Sequence, residues 1–279
     1  MRSHFKLSSA AMACALSGAT AMMATSVCSG QGAYDSASNP LYAGGWSAGQ
    51  NGGTGFGAWS FNGTSTPAGV ADPGGQQVMS SSQPIGTAWT LFNLGSAPAG
   101  SGLSNVGRAI NSGLGVGQIF ETVICNPTAY HFYGGYDILF YTGTDNLPGG
   151  NNSAAIRVSV FNYGGSSWGV NDPGATSTSL TAATTGAAGM KLDLAVTSAT
   201  TYALTLTPLN NPSAAYSQTG TLSGPIDYVN YRLYDGLSAG PTDAANNFGI
   251  SYMEVVPEPS TFALIGLGMS GLWIFRRRK

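Results

Sequence analysis

Hydrophobic and polar residues alternate along much of this chain. Between Met190 and Thr197 every second side chain is a Met, Leu or Val, and the same alternation returns between Tyr202 and Thr207. Alternation with a period of two places alternate side chains on opposite faces of a β-strand, and the short polar separation between these two runs favours a hairpin. Related patterns predict further strands at 88–94, 118–125, 136–142, 156–160, 229–233 and 248–252.

Turn-forming residues separate these predicted strands. The breakers are Asp72-Pro73-Gly74-Gly75, Leu147-Pro148-Gly149-Gly150, Asn171-Asp172-Pro173-Gly174 and Asp235-Gly236. No stretch from 31 to 255 has the period of a helix, and its length is within the range of one domain. About ten strands joined by turns predict an all-β domain, an antiparallel β-sandwich of the jelly-roll or concanavalin-like type.

The composition excludes several classes of protein. Charged residues make up 8% of the 279 positions, where a typical soluble domain has roughly 25%. A nucleic-acid-binding protein needs a basic patch, and a long coiled coil needs charged outer positions, so neither class fits. Disorder is also a poor interpretation, because 43% of the residues are hydrophobic and the net charge is only -2.

The basic residues are concentrated at the two ends of the chain. Arg2 and Lys6 begin it, and four more cations end it, so residues 31–255 contain only four basic residues against eleven acidic ones, a net charge of -7. A basic start followed by the weakly apolar stretch 7–27 predicts a secretory signal peptide, formed as a helix over 1–30 and cut near Gly30. The alternative is an uncleaved N-terminal anchor.

The C-terminal end combines three features in a fixed order. The motif Val256, Pro257, Glu258, Pro259, Ser260 comes first, the apolar run 262–275 follows, and Arg276, Arg277, Arg278 and Lys279 end the chain. A helix from Ser260 to the end of that run is ~24 Å long at 1.5 Å per residue, which predicts one short transmembrane helix with its basic flank in the cytoplasm. An ordinary C-terminal anchor preceded by a linker is the alternative.

These features resemble the PEP-CTERM sorting signal of bacterial exosortase substrates. The resemblance covers 256–279 and implies recognition by an exosortase-type membrane transpeptidase, with cleavage around Pro257–Pro259. It implies an exported protein that is held transiently in the inner membrane and then reaches the cell surface or the extracellular space. Proteins with this signal are associated with exopolysaccharide and biofilm matrix, and the signal itself does not define what the body 31–255 does.

The start of the body is similar to that of secreted bacterial proteins that often carry the same tail. The similarity lies in the glycine- and tryptophan-rich segment Tyr34–Phe61, in Ser167-Trp168-Gly169-Val170-Asn171-Asp172 and in the alternating run at 202–207. It implies a concanavalin-like or jelly-roll sandwich and carries no activity with it.

Residues that would support catalysis are few. His131 is the only histidine after the predicted signal peptide, and Glu121 and Glu254 are the only glutamates before the motif. Glycosidases work with paired carboxylates, and no pattern in the sequence pairs these two. Cys125 ends a strand-like run and is predicted to be a buried structural thiol. We therefore expect a body without enzymatic activity, and a polysaccharide hydrolase is the weakest hypothesis.

Carbohydrate binding is the alternative function for the body, with exopolysaccharide as the ligand. Trp46, Trp59 and Trp168 lie among glycines, where exposed rings would stack on sugar faces, whereas Trp89 in an apolar run is expected in the core. The aromatic residues Tyr130, Phe132, Tyr133 and Tyr136 would add to such a platform. The competing interpretation is that all of these rings fill the core.

A structural Ca²⁺ is a further candidate, although no other cofactor is expected. Calcium takes oxygen ligands from loops, and Asp and Asn cluster in several predicted loops. The same residues are the ordinary formers of turns, and no EF-hand spacing occurs. The candidate loops contain Asp145-Asn146, Asn151-Asn152, Asn171-Asp172, Asp235, Asp243, Asn246 and Asn247.

Overall fold

A computed structural model of the full chain describes eleven stretches of it. The described residues are 32–61, 74–83, 85–94, 103–125, 135–143, 155–162, 168–173, 175–180, 188–234, 237–238 and 248–257. Within them no helix is long and apolar enough to cross a membrane. The predicted signal helix and the predicted C-terminal transmembrane helix both lie outside the described residues.

The described residues form β-strands and two short 3-10 turns, at Pro40–Tyr42 and Pro212–Ala214. The strands are β1 Tyr34–Ser36, β2 Ser60–Phe61, β3 Gly74–Gln83, β4 Gly86–Leu94, β5 Leu103–Leu114, β6 Gln118–Cys125, β7 Gly135–Tyr141, β8 Ile156–Asn162, β9 Trp168–Asp172, β10 Ala175–Leu180, β11 Met190–Ser198, β12 Thr201–Pro208, β13 Tyr216–Thr221, β14 Ile226–Tyr234, β15 Leu237–Ser238 and β16 Phe248–Pro257.

The strands make two sheets. The first has nine strands in the order β13-β12-β11-β6-β16-β4-β15, with β1 added beside β16 and β3 beside β4. The second has seven strands in the order β10-β9-β8-β7-β14-β5-β2. Pairing is antiparallel except between the two-residue strand β15 and β4. The prediction of an all-β domain built from antiparallel sheets is confirmed.

One hydrophobic core contains side chains from both sheets. Phe120 on β6 meets Phe140 on β7 edge to face, with ring centroids 5.2 Å apart. Tyr231 on β14 donates a hydrogen bond across to Thr122 on β6 at 3.2 Å. In β11 and β12 the buried residues alternate with half-buried ones, as the period of two predicts, and Leu192 lies opposite Leu206.

Three features differ from the sequence-based expectation. Strand β5 has no clean alternation, because its inward Val106 and Ile110 are interspersed with polar residues that are also buried. Gly74 and Gly75, expected in a turn, belong to β3. Strand β16 continues through Pro257, so it crosses the predicted boundary between the body and the C-terminal motif at 255/256.

Candidate functional site

The glycine-rich segment 34–61 is fastened to the body by a buried ion pair. Arg108 on β5 and Asp35 on β1 are fully buried, and Arg108 Nη1 lies 2.5 Å from Asp35 Oδ2. Arg108 also donates to the carbonyl of Gly57 at 2.9 Å and to Asn51 Oδ1 at 2.5 Å. Tyr42 donates its hydroxyl proton to Asp35 at 2.6 Å. This network, which we call the Arg108 network, leaves the arginine and the carboxylate without contact with solvent.

Aromatic rings enclose the same arginine. Its guanidinium carbon lies 4.7 Å from the ring centroid of Trp59 and 5.0 Å from that of Phe56. The glycines of the segment allow this close packing: a Cβ on Gly53 would lie 2.2 Å from the carbonyl oxygen of Tyr34. The motif that resembles the start of other secreted proteins thus has a packing role in this fold.

The three tryptophans expected to form a sugar platform are buried. Trp46, Trp59 and Trp168 are 5%, 2% and 0% exposed. Trp59 meets Trp46 edge to face at 4.9 Å and lies 5.0 Å from Trp89, which is in the core as expected. The expectation of exposure is therefore wrong for these rings. Neighbouring glycines are compatible with an exposed ring, but around Trp59 they allow the buried segments to pack closely.

One of the candidate calcium loops has another role. Asp172, at the end of β9, accepts hydrogen bonds from the Tyr202 hydroxyl at 2.7 Å and the Thr221 hydroxyl at 3.2 Å, so it ties one sheet to the other at their edges. Asn171 beside it is exposed. The remaining candidate calcium residues lie outside the described residues. Within the described ranges no three His, Cys, Asp or Glu side chains converge on a metal position.

The two glutamates face each other across neighbouring strands. Glu121 on β6 lies opposite both Glu254 on β16 and Asp193 on β11. Lys191 bridges Glu121 at 3.0 Å and Asp193 at 2.9 Å. Tyr252 also donates a hydrogen bond to Glu121. The strand register therefore places Glu121, Asp193 and Glu254 on adjacent strands, although they are far apart in the sequence.

The pKa values of Glu121 and Asp193 shift in opposite directions. Burial raises the pKa of Asp193 in spite of its ion pair with Lys191. Burial acts in the same direction on Glu121, but the hydrogen bonds from Tyr252 and Lys191 outweigh it and lower the pKa of Glu121 below its ordinary value of 4.5. The side chains of Lys191, Glu121 and Asp193 are between 21% and 33% exposed.

Of the other residues considered for chemistry, Cys125 and Tyr136 are described, and both are buried. Cys125 is 2% exposed, which confirms the prediction of a buried thiol, and burial raises the pKa of Cys125 to about 11. Tyr136 is buried at the core face of β7 and packs against Phe248. His131, Tyr130, Phe132 and Tyr133 lie outside the described residues.

The outer face of the seven-stranded sheet carries buried polar and aromatic side chains. Leu139, Tyr141 and Tyr228 form a second hydrophobic cluster there, separate from the main core. Beside it, Arg232 donates to Asp137 at 2.9 Å, and both are buried. Burial also raises the pKa of Tyr141 to about 12. A sheet face that is merely solvated would leave such groups exposed.

Asn230 lies in the middle of this outer face. It is 5% exposed, and its Oδ1 has no hydrogen-bond partner among the described residues. Gly107 on the next strand leaves room for it, since a Cβ at that position would lie 2.8 Å from the Asn230 amide nitrogen and 2.6 Å from the Tyr228 ring. A sequence signal existed: the outward positions of β14 are Tyr228, Asn230 and Arg232, an unusual set for a solvated strand.

The C-terminal motif begins inside a strand in the middle of the nine-stranded sheet. Val255 is 2% exposed, and its N–H donates to the carbonyl of Ala33 at 2.7 Å. Val256 lies opposite Ile119, and Pro257 lies opposite Gln118 on β6. The rest of the motif, Glu258, Pro259 and Ser260, lies outside the described residues, as do Arg276, Arg277, Arg278 and Lys279.

The comparison with protein families identifies this end of the chain. Residues 255–279 match the model of the PEP-CTERM protein-sorting motif. The chain carries a PEP-CTERM motif. This confirms the resemblance inferred from 256–279, and the PEP-CTERM motif starts one residue earlier than the sequence analysis placed it. A comparison with curated proteins gave no match.

The chain is also similar to several solved structures. A protein of unknown function from Shewanella oneidensis MR-1 is 9% identical, with a TM-score of 0.45, over 91% of this chain and 95% of that one. The exoplasmic/lumenal domain of VIP36 is 14% identical, with a TM-score of 0.44, over 71% and 83%. Lectin II from Ulex europaeus is 7% identical, with a TM-score of 0.40, over 76% and 95%.

Proposed function

We propose that this is a non-catalytic surface or biofilm-matrix protein that is exported and then sorted through its PEP-CTERM motif. An exosortase-type transpeptidase cleaves it around Pro257–Pro259 and releases or transfers the body. The observation that carries the proposal is the match of 255–279 to this sorting motif. Its position supports the proposal, because the motif begins within the last residues of β16 and continues beyond the end of that strand at Pro257.

The parts of the motif have separate roles in this scheme. The apolar run 262–275 holds the chain in the inner membrane, where a hydrocarbon core of roughly 30 Å accepts a short helix with its cations at the surface. Arg276–Lys279 stay in the cytoplasm. The signal peptide 1–30 exports the body, so Pro257 and its neighbours reach the enzyme on the outer side.

The contacts of the body support a structural role. Cations of the body pair with carboxylates: Arg108 with Asp35, Arg232 with Asp137, and Lys191 with both Glu121 and Asp193. Two of these pairs are buried, where they hold strands together and are remote from any solute.

Replacement of Pro257, Glu258 and Pro259 by alanine tests the sorting step. The variant is expected to accumulate as an unprocessed, membrane-associated chain, measured by comparing cell-associated and released protein on gels. The matched control is Pro212→Ala with Glu254→Ala, which changes the same residue types outside the motif and should be processed normally. Normal processing of the motif variant would contradict the proposal.

Carbohydrate binding by a jelly-roll or concanavalin-like body is the second candidate. It is favoured by one observation on the outer face of the seven-stranded sheet, where the Asn230 Oδ1 has no hydrogen-bond partner among the described residues. A carboxamide oxygen accepts from a sugar hydroxyl, whereas the neighbouring Tyr141 and Tyr228 are as buried as the tryptophans and offer no stacking face. The ligand would be a neutral exopolysaccharide, because the net charge of -7 on the body would repel an acidic one.

Glycan-array binding of the full chain tests this candidate. A polysaccharide ligand should lose affinity with Asn230→Ala, whereas Asn171→Ala, an exposed asparagine on β9, should bind as the parent does. Absence of binding to all matrix polysaccharides, or equal binding by the two variants, would refute a site on this face.

A further inference from the structure

The end of the sandwich beside the PEP-CTERM motif can be defined by its residues. Pro257 lies opposite Gln118, and the turn Gly115-Val116-Gly117 immediately precedes Gln118. The Gly117 N–H donates to the Val196 carbonyl at 2.9 Å, which places this turn beside the β11–β12 hairpin. We call residues 115–118 and 197–201 the motif-proximal end. Val116 is 62% exposed there.

The turns of the nine-stranded sheet at this end contain no charged residue, and the charged groups beside them include Arg157 of the other sheet, which donates to Ser223, and Glu258, which follows Pro257 directly. The segments 109–120 and 194–226 have no Asp, Glu, Lys, Arg or His. The body as a whole has a net charge of -7, so most of its surfaces would be repelled by the anionic headgroups of a bacterial membrane. Uncharged turns with an exposed valine can approach those headgroups without that repulsion.

The sequence also limits how far this end can be from the membrane. Four residues, 258–261, separate Pro257 from the start of the apolar run at Phe262. Five steps along a fully extended chain span at most ~18 Å. The opposite end of the sandwich is marked by Leu209, 42% exposed, at the far end of β12. Strand β12 has eight residues, so it separates the two ends by ~25 Å.

We propose that, before processing, the motif-proximal end rests on the lipid headgroups, with Val116 at the contact. The inference depends on the membrane stage of the proposed function. The bilayer is the partner of this surface, because the short tether 258–261 holds the body close to the membrane whether or not the enzyme is present. The processing enzyme would then meet a body whose fold ends at the membrane surface.

Cysteine accessibility in liposomes tests the contact. Val116→Cys and Leu209→Cys are made separately in the full chain, with Cys14→Ser and Cys28→Ser in both. Each purified chain is inserted into liposomes of phosphatidylethanolamine and phosphatidylglycerol and treated with a maleimide coupled to a large polyethylene glycol. The Val116→Cys chain should react several-fold more slowly than the Leu209→Cys chain, because the bilayer shields its thiol.

A spacer variant provides the control for proximity. A Gly/Ser insertion of about ten residues between Ser260 and Thr261 adds ~17 Å of average reach and leaves both strand β16 and the sequence from Val256 to Ser260 intact. It should bring the reaction rate of the Val116→Cys chain up to that of the Leu209→Cys chain. Shielding that persists with the spacer would overturn the proposal, since it would not depend on the tether.

Two further outcomes separate this inference from the proposed function. A chain that does not float with the liposomes contradicts the membrane stage of the proposed function and this inference with it. A chain that floats but reacts equally at both positions overturns this inference alone. Shielding found only in cells that contain the processing enzyme would assign this surface to the enzyme and also overturn the proposal.

Discussion

Removal of the Arg108 guanidinium should destabilise the body more than any comparable change at its surface. The Arg108→Met variant retains most of the side-chain volume but removes the partner of Asp35, the donor to Asn51 and the donor to the Gly57 carbonyl. It leaves the Asp35 carboxylate buried with hydrogen bonds from Tyr42 and the Ser36 N–H. Breaking a buried pair by removing one partner typically costs 3–5 kcal/mol, because the remaining charge is uncompensated.

The expected loss in the free energy of unfolding is therefore about 3–5 kcal/mol, which lowers Tm by roughly 6–20 °C in a domain of this size. Urea unfolding followed by tryptophan fluorescence measures it, since Trp59 packs on the arginine. The matched control is Arg157→Met, whose half-buried guanidinium donates to the hydroxyls of Thr142 and Ser223. We expect that control to lose less than Arg108→Met does, because its side chain is only half-buried.

A double variant tests whether the uncompensated charge of Asp35 causes the destabilisation. Asp35→Asn combined with Arg108→Met removes the carboxylate charge as well, so its loss should be smaller than the sum of the two single losses by 1 kcal/mol or more, on the order of couplings between contacting residues. A loss below about 1 kcal/mol for Arg108→Met, or strictly additive losses in the double variant, would refute the reasoning.

Three further predictions concern other parts of the described structure. The Cys125 thiol, with its pKa of about 11, is about one-thousandth ionised at pH 8, so peptide mapping should find it unalkylated by iodoacetamide until the protein unfolds. Gly53→Ala should lower Tm by several degrees, because its Cβ would meet the Tyr34 carbonyl, whereas Gly44→Ala, with open space around it, should leave Tm nearly unchanged. Lys191→Met should cost less than ~1 kcal/mol near neutral pH. Its effect should vanish as pH rises through the raised pKa of Lys191, above 10.5, and as pH falls through the lowered pKa of Glu121, below 4.5; a difference that is constant across this range would contradict the ion pair.

Several of the strands that the sequence predicted have one apolar and one polar face. Residues 118–125 were predicted with the bounds that the structure has, because Phe120, Thr122 and Ile124 face the core while Glu121 faces outward. Strand β5 was missed for a physical reason. Its polar residues, including Arg108 and Asn105, are buried, so hydrophobicity does not alternate along it.

The C-terminal motif could be recognised from the sequence because its residues are consecutive in the chain. The burial of Asn230 could not be predicted, although the outward positions of β14 are an unusual set for a solvated strand, since it depends on the register that places Gly107 opposite Asn230 across two strands that are distant in the chain. The same holds for the pairing of Glu121 with Glu254. The buried tryptophans were misjudged because neighbouring glycines permit either an exposed ring or a tightly packed one, and the local sequence does not distinguish the two.

The central position of β16 has a consequence for the order of folding. Strand β1 is near the start of the chain, yet Tyr34 pairs with Glu254, and β16 also fills the gap between β6 and β4. Contacts between such distant residues form slowly, and an export pathway that delivers the N-terminal part first supplies β16 last. Until it arrives, the edges of β6 and β4 are open and able to pair with other chains. In the sorting scheme proposed above, completion of the sheet would coincide with arrival of the PEP-CTERM motif at the membrane, so the chain would become a substrate for sorting only as its body becomes able to close.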